Sequence, residues 1–446
     1  MPRDLLEDSE KQYESSFSMS VVPRLVATLA AASVVAIAAL APSSAATAAP
    51  PARGLGAAPA TVVSASSGGG RTAALEAAMQ ATVEAGATGV SAMIDDGDEV
   101  TRLAVGSAQL DPLIALRPTD QARVGSITKT AIAVIALQLV GEGTLTLGDT
   151  IESWLPGMVP NGGSITIRML LNHTSGIFNY TDDSDFFASV LADPYRHWRP
   201  REVIAVAVSH PPLFPPGTSW SYSNTGYILL GLVLQKATDE SISDLVRQRV
   251  VRPLDLDNTY FANSARFRGS YAHGYAPPSV TGDGYQDLSR WSPSWAWAAG
   301  SLVSNPPDLA RFYQALLSGR LLSPALLRTM TTTVSPGPGF AYGLGIFALD
   351  TPCGRVWGHD GGIPGYVSFA MNTIEGTRSA VVLMPTQPDS AIASAVEEVL
   401  VTAACAMFRQ PVPAVAATAP RTAAPRTAAM PGFARHPVPA GLRLSD

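Results

Sequence analysis

The spacing of apolar and polar residues divides the chain into helical and strand-like stretches. Residues 71–85, rich in Ala, Leu and Met, read as a helix. Two apolar runs follow, 89–94 and 99–105, joined by Asp95-Asp96-Gly97-Asp98. An Asp-Gly step between apolar runs signals a hairpin. Residues 128–140 are apolar almost throughout, as expected of a buried helix. Segments 165–171, 227–236 and 308–317 also read as helices. Strand-like runs return at 356–357, 366–371 and 379–384, before a last helix near 392–408. Strands at both ends with helices between imply a sheet completed by distant segments and an inserted helical lobe. A cleft between the two is the natural place for a site.

The ends of the chain have a different composition. Within 21–49, Arg24 precedes an apolar run, 25–40, broken only by Thr28 and Ser33, and Ala46-Thr47-Ala48 fits an A-x-A cleavage site. Residues 1–49 therefore read as an export signal, with Met19 a more compact start than Met1. The apolar run is short for a membrane span, which needs about 20 residues. A secreted protein, extracellular or associated with the cell wall, is expected, with no stable membrane anchor once the signal is removed. Residues 50–70 are an Ala/Pro/Ser/Gly linker. Residues 410–446, Ala, Pro and Thr around Arg421, Arg426, Arg435 and Arg443, cannot bury a core and read as a disordered tail. The folded body is 71–409.

Composition narrows the chemistry. The chain is 46% hydrophobic and 15% charged, with a net charge of −6 and no long basic run. A globular body follows, and a nucleic-acid partner does not. The histidines show no metal-ligand spacing, so neither metal nor other cofactor is expected. Cys353 and Cys405 are expected to form a disulfide, tying the strand region before His359 to the last helix; two separate buried thiols are the alternative. Only three residues are lysine, Lys11, Lys129 and Lys236, against twenty-seven arginines. Genomic base composition that favours Arg codons accounts for the imbalance; its corollary is that a surviving lysine can mark a place where an amine has to lose its proton, since arginine stays protonated.

Lys129 lies in Gly125-Ser126-Ile127-Thr128-Lys129, at the start of the apolar helix. Three residues apart, Ser126 and Lys129 share one helix face. The positive helix N-terminus and burial both favour the neutral amine, which can take the proton of Ser126 and make it a nucleophile. A helix-capping serine with a surface lysine is the bland alternative, and the apolar flanks argue against it. Tyr222-Ser223-Asn224 follows a Pro/Gly turn and precedes a helix, so it sits on a loop at a helix entrance. A phenol beside a lysine ammonium is expected to have a lowered pKa and to shuttle protons, and Asn224 to bind a substrate amide; a cap with a packed tyrosine is the plain reading. His359-Asp360-Gly361-Gly362 lies between strand-like runs, with glycines that allow a ligand backbone to approach. His359 would donate to the tyrosine or to substrate. As neighbours on a strand, His359 and Asp360 point to opposite faces and make a poor catalytic pair. His173 with Ser175 lacks a nucleophile elbow, so a Ser-His-Asp mechanism is disfavoured.

These three motifs, in this order, resemble the serine β-lactamase and D-alanyl-D-alanine carboxypeptidase superfamily, in the branch of class C β-lactamases, secreted D,D-peptidases and related esterases. Residues 165–176, ending Asn172-His173-Thr174-Ser175-Gly176, and Ala299-Gly300-Ser301-Leu302-Val303-Ser304 match the same family. The resemblance covers essentially the whole body. It implies an α+β fold, an antiparallel β-sheet flanked by helices with an all-helical lobe. It implies Ser126 as the acylated nucleophile, Lys129 and Tyr222 as general base and acid in either order, His359 in the pocket, Asn224 on the substrate, and an oxyanion hole of Ser126 and Gly362 N–H. Phe178, Tyr180 and Trp297, with Trp291 and Trp295, are expected to line the pocket, although each could equally be core. The substrate implied first is a peptidoglycan stem peptide, cleaved by a penicillin-binding D-alanyl-D-alanine carboxypeptidase; a β-lactam, a D-amino acid amide or a small ester are the alternatives. A non-catalytic β-lactam- or peptidoglycan-binding module would tolerate loss of Lys129 or Tyr222, and both are present. Two departures weigh against the carboxypeptidase: Asp360 stands where a hydroxyl residue is usual, and Tyr342-Gly343-Leu344-Gly345 lacks a carboxylate-binding arginine, with Arg355 the nearest substitute.

Overall fold

The computed structural model describes residues 70–413. The expected export signal lies outside them, as do nearly all of the linker and most of the tail. Nine strands form one antiparallel sheet: β1 (Gly89–Asp95), β2 (Val100–Leu110), β3 (Leu113–Ala115), β4 (Val334–Gly337), β5 (Phe340–Tyr342), β6 (Phe347–Thr351), β7 (Gly354–Ile363), β8 (Tyr366–Asn372) and β9 (Ser379–Met384). Their spatial order is β3-β2-β1-β9-β8-β7-β6-β5-β4. The first hairpin thus pairs with the last strand, Ser91 opposite Leu383, as strands at both ends of the chain led one to expect.

The strands read as apolar runs because both faces of the sheet are covered. Every residue of β9 is buried. Val381 and Leu383 face one core, and Ala380, Val382 and Met384 the other. The helices that matter for the site are α1 (Gly70–Glu84), α2 (Thr128–Gly141), α3 (Ile167–Leu171), α4 (Asn224–Thr238), α5 (Pro306–Leu317) and α6 (Ser390–Met407). Leu75 and Met79 of α1 and Val396 and Val399 of α6 pack on Phe369 and Val382. Ile132 and Leu137 of α2, Leu230 of α4 and Leu309 of α5 pack on the opposite side with Ala370 and Val381. Thr128 through Leu137 are all buried, so α2 has no solvent face over its first turns. Truncating such a side chain, Ile132→Ala for example, costs about 2–5 kcal/mol. Helix α6 is long and apolar enough to cross a membrane, but more than half of it is buried against this core.

Several helices start earlier or later than periodicity alone suggests, for local reasons. Thr166 caps α3, accepting the Met169 N–H at 3.4 Å, so the helix opens at Ile167. Pro306 holds the first position of α5 behind the Asn305 cap. The inserted lobe, residues 116–333, is mainly helical but also carries a small sheet of Ala122–Arg123, Leu302–Ser304 and Tyr260–Phe261, and a two-stranded one of Tyr275–Ala276 and Gln286–Asp287.

Cys353, in the turn from β6 to β7, is bonded to Cys405 in α6, and both are buried. The bond closes a loop with a sequence separation of 52 and ties the strand carrying the third motif to the outer helix layer. Closing a loop of that size is worth roughly 2–4 kcal/mol, chiefly by restricting the unfolded chain. Cys405→Ala is therefore expected to lower the free energy of unfolding by about that amount in denaturant titration. Equal stability of parent and variant under oxidising conditions would refute it.

Candidate active site

The small sheet delivers the nucleophile. Val124 N–H bonds to Leu302 O at 3.0 Å, and the chain then turns through the 3-10 segment Gly125–Ile127 straight into α2. Thr128 locks this turn. Its hydroxyl donates to Gly125 O at 2.6 Å and accepts Leu302 N–H at 2.9 Å. Ser126 keeps part of its surface exposed, whereas its neighbours from Gly125 to Thr130 are buried.

Lys129 is wholly buried one turn further on. Its Nζ lies 2.9 Å from Ser126 Oγ, 2.7 Å from Asn224 Oδ1 and 2.8 Å from Ala299 O. The last two are pure acceptors. They occupy both N–H bonds of a neutral amine and leave its lone pair directed at the Ser126 hydroxyl. Burial pushes the Lys129 pKa well below the usual lysine range, and only the negative charge of Asp360 pulls the other way. Geometry and electrostatics both favour an amine able to take the proton of Ser126.

Tyr222 departs from expectation. Lys129 Nζ lies 4.9 Å from the centroid of its ring, yet the phenol is pushed well above its ordinary pKa. Burial dominates and the charge of Asp360 adds to it, while a contact with the Ser126 side chain opposes them. Because Lys129 is itself held toward neutrality, there is no fixed ammonium to stabilise a tyrosinate. Tyr222 is a neutral phenol, a proton donor, and the predicted lowering of its pKa is corrected. Asn224 opens α4 and is oriented on three sides: its N–H bonds to Asn179 Oδ1 at 2.9 Å, its Nδ2 donates to Thr181 Oγ1 at 3.1 Å, and its Oδ1 holds Lys129.

The third motif lies where β7 loses one partner. β6 pairs with β7 only as far as Phe347 opposite Gly358, whereas β8 pairs with β7 through Ile363. Residues 359–363 therefore present an edge to the nucleophile turn. A Cβ on Gly361 would stand 2.0 Å from Val124 O and 2.9 Å from Ser126 N, and one on Gly125, whose φ is +48°, 2.9 Å from Gly362 N. Gly361 was expected to admit a ligand backbone; what it admits is the protein's own turn. That contact brings the peptides of Ser126 and Gly362 side by side.

His359 was expected to donate to Tyr222 or to substrate. Its Nδ1 instead bonds to Asp360 O at 2.6 Å, so Nε2 accepts the Tyr342 hydroxyl at 2.8 Å. Both ring nitrogens are used, and burial lowers its pKa to about 3, so the ring is neutral. His359 therefore positions β7 against Tyr342 and does not reach the reacting atoms. Strand register sets His359 opposite Ala370 and Asp360 opposite Phe369, on the two faces of the sheet. The Asp360 carboxyl nevertheless curls to 3.5 Å from His359 Nδ1, too far to replace the carbonyl as its partner. Burial raises Asp360 to about 7 against its own backbone N–H and Lys129. Arg355 is half-exposed at the β6–β7 hairpin beside Asp350, at 3.5 Å.

The aromatic expectations divide. Tyr180 is fully buried with its hydroxyl on Trp295 O at 2.7 Å, so it is core and lines no pocket. Trp291 and Trp295 are buried as well. The ring of Trp297 fills the notch that Gly231 leaves in α4. Phe178 keeps part of its ring exposed and stacks on His210 at 3.9 Å. Ser175 is buried, its Oγ accepting Ile177 N–H at 3.3 Å. Sequence reasoning missed Asn179, Thr181, Tyr342 and the Ala299 carbonyl. The Ala299 stretch was visible as a family match; the others left no signal beyond being near a motif.

A serine, an enclosed lysine and a neutral tyrosine on the seam of such a sheet and lobe define the class of acyl-transfer sites built on a nucleophilic serine. A family model described as Beta-lactamase matches residues 73–403, and the chain belongs to that family. It is 28% identical over 324 residues to penicillin-binding protein 4* of Bacillus subtilis (strain 168), covering 69% of this chain and 70% of that protein. Among solved structures it is similar to a D-stereospecific amidohydrolase from Streptomyces sp., with a TM-score of 0.67 and 38% identity over 73% of this chain and 98% of that one. D-amino acid amidase from Ochrobactrum anthropi SV3 aligns with a TM-score of 0.65 and 27% identity over 74% and 98%.

Two outcomes follow from this geometry. The Asp360 charge raises the proton affinity of Lys129, so Asp360→Asn is expected to move the acidic limb of the kcat/KM pH profile to lower pH. A limb that stays in place or moves up would show that the carboxylate does not act on Lys129. Gly361→Ala would force β7 off the nucleophile turn; kcat/KM is expected to fall at least 100-fold, as for a reacting group misplaced by about 1 Å. Parent-like turnover would contradict the close approach.

Proposed function

We propose that the chain is an exported acyl-serine amidohydrolase acting on small D-configured amides and esters. The observation that carries the acyl-serine reading is the set of contacts at Lys129 Nζ, two acceptors and one hydroxyl around an enclosed amine. In this reading Lys129 takes the Ser126 proton as Oγ attacks the substrate carbonyl. Ser126 and Gly362 N–H hold the oxyanion. Tyr222 gives its proton to the leaving nitrogen and recovers one from the Lys129 ammonium. Water then attacks the acyl-serine, and the same groups return Ser126 to its hydroxyl form. Asn224, with Lys129 on its Oδ1, has an Nδ2 hydrogen left for the substrate carbonyl or amide.

The choice of substrate is supported by charge. Among the described residues, Lys129 is the one basic side chain hydrogen-bonded to this cluster, and its N–H bonds are committed to Asn224 and Ala299; Arg355 is paired elsewhere. Asp360 is acidic, which disfavours a free substrate carboxylate and tolerates a neutral or ammonium-bearing group. Similarity to the D-stereospecific amidohydrolase and D-amino acid amidase points the same way. Cleavage of a peptidoglycan stem peptide is the second reading, favoured by similarity to penicillin-binding protein 4*. Export, and hence a place outside the cell membrane or in the cell wall, is proposed from residues 1–49 alone.

The test uses the purified body with a p-nitrophenyl ester, D- and L-amino acid amides, a D-Ala-D-Ala peptide and a fluorescent penicillin, followed by turnover and intact mass. Turnover of the D-amide above the L-amide and the peptide is expected, with all activity and any adduct lost in Ser126→Ala. A stable penicillin adduct with preferential peptide cleavage would favour the second reading. Undiminished activity of Ser126→Ala would overturn both.

A further inference from the structure

His173 sits behind Tyr222 and takes no part in the steps above. It follows α3 with φ +63°, in the left-handed region that residues other than glycine seldom occupy. Its backbone carbonyl accepts Ser221 N–H at 3.0 Å, and its Nδ1 accepts Ser223 N–H at 3.2 Å. These two bonds bracket Tyr222. The imidazole lies against the Tyr222 ring, with centroids 4.3 Å apart, and against Tyr342 at 4.7 Å. Tyr342 is in turn bonded to His359 on β7. His173 is 1% exposed. Because Nδ1 accepts, the ring proton is on Nε2, which has no hydrogen-bond partner among the described residues. The ring therefore relays no proton; what it supplies is contact.

We propose that His173 is a positioning residue for Tyr222, fixing the backbone on both sides of the tyrosine and one face of its ring so that the phenol O–H is held at Ser126. The inference rests on the reading of Tyr222 as the group that protonates the leaving nitrogen. An amide nitrogen leaves only when protonated, whereas p-nitrophenolate leaves without a proton. Loosening Tyr222 must therefore slow amide cleavage far more than cleavage of an activated ester with the same acyl group. The left-handed backbone explains why a histidine can hold both bonds at once: it turns the carbonyl and the side chain toward the same strand of chain.

The experiment compares kcat/KM, which reports acylation, for a D-amino acid amide and the p-nitrophenyl ester of the same acyl group. His173→Asn keeps an acceptor near the position of Nδ1, and asparagine tolerates the left-handed conformation, but the ring is lost. His173→Ala loses both. For the amide, kcat/KM is expected to fall roughly 10-fold in His173→Asn and roughly 100-fold in His173→Ala, while the ester stays within about threefold. In a Tyr222→Phe background, His173→Asn is expected to cause no further loss. Equal losses on amide and ester, or a full additional loss in Tyr222→Phe, would overturn the proposal, because either means that His173 acts through general packing. A parent enzyme that the ester fails to acylate at Ser126 would refute the acyl-serine reading itself and this inference with it; that outcome is distinguished by being seen before any variant is made.

Discussion

The site depends on one constraint, the enclosure of Lys129. An ammonium with no water around it costs several kcal/mol unless charges and hydrogen bonds compensate. Here the surroundings compensate for the neutral amine instead. Two carbonyl oxygens use its two N–H bonds, and a hydroxyl receives its lone pair. Everything else must place these two acceptors and one hydroxyl donor within about 3 Å of the amine. Asn224 comes from α4, Ala299 from the segment before the small sheet, and Ser126 from the turn into α2. The three are joined through the lobe core, where Tyr227, Leu230 and Ala298 pack with Ile132, and through the bonds of Val124 and Thr128 to Leu302. The apolar core thus sets a proton affinity as well as a stability.

The same enclosure governs the aromatic groups. Tyr222, Tyr227, Tyr313 and Tyr342 are all held above the ordinary phenol range by burial, and His173 and His359 below the ordinary imidazole range. The result is a polar but uncharged wall. It can donate and accept hydrogen bonds without introducing competing charges. Against such a wall one buried carboxyl, Asp360, has unusual reach, because little else near it is ionised. Burial raises it to about 7, while its attraction to Lys129 opposes that rise and in return lifts the proton affinity of the amine.

Much of this was legible in the sequence. Ser126 and Lys129 could be paired from a spacing of three on an apolar helix, because helix geometry alone puts them together. A sheet joining both ends of the chain was likewise within reach, because strand patterns there must meet, while its antiparallel arrangement was implied only by the family resemblance; the two cysteines could pair or stay apart, and they pair. What could not be read was how side chains orient across the chain. His359 looked like a donor because its motif is near the site, but a carbonyl one residue away accepts the hydrogen bond from its Nδ1–H. Tyr180 looked like a lining residue because it is aromatic and close to Phe178, yet its ring packs edge-on against Phe186 in the core and its hydroxyl is tied to the Trp295 carbonyl. The sign of the Tyr222 shift was misjudged for a related reason. It was argued from a lysine charge that the fold itself suppresses.

The departure at Asp360 then acquires a physical sense. A hydroxyl there would leave Lys129 with no opposing charge, and burial alone would set its proton affinity. A carboxyl that titrates near neutrality restores part of that affinity only when it is ionised. The amine is therefore least basic when Asp360 is protonated and regains basicity as Asp360 loses its proton. A general base must be neutral to begin and basic enough to take a proton, and these demands conflict in a fixed environment. Placing a second titrating group within electrostatic range lets the environment change with pH. The position in the third motif suits this role because Asp360 is buried on the strand beside the nucleophile turn, where the low dielectric of the core keeps Lys129 within its influence.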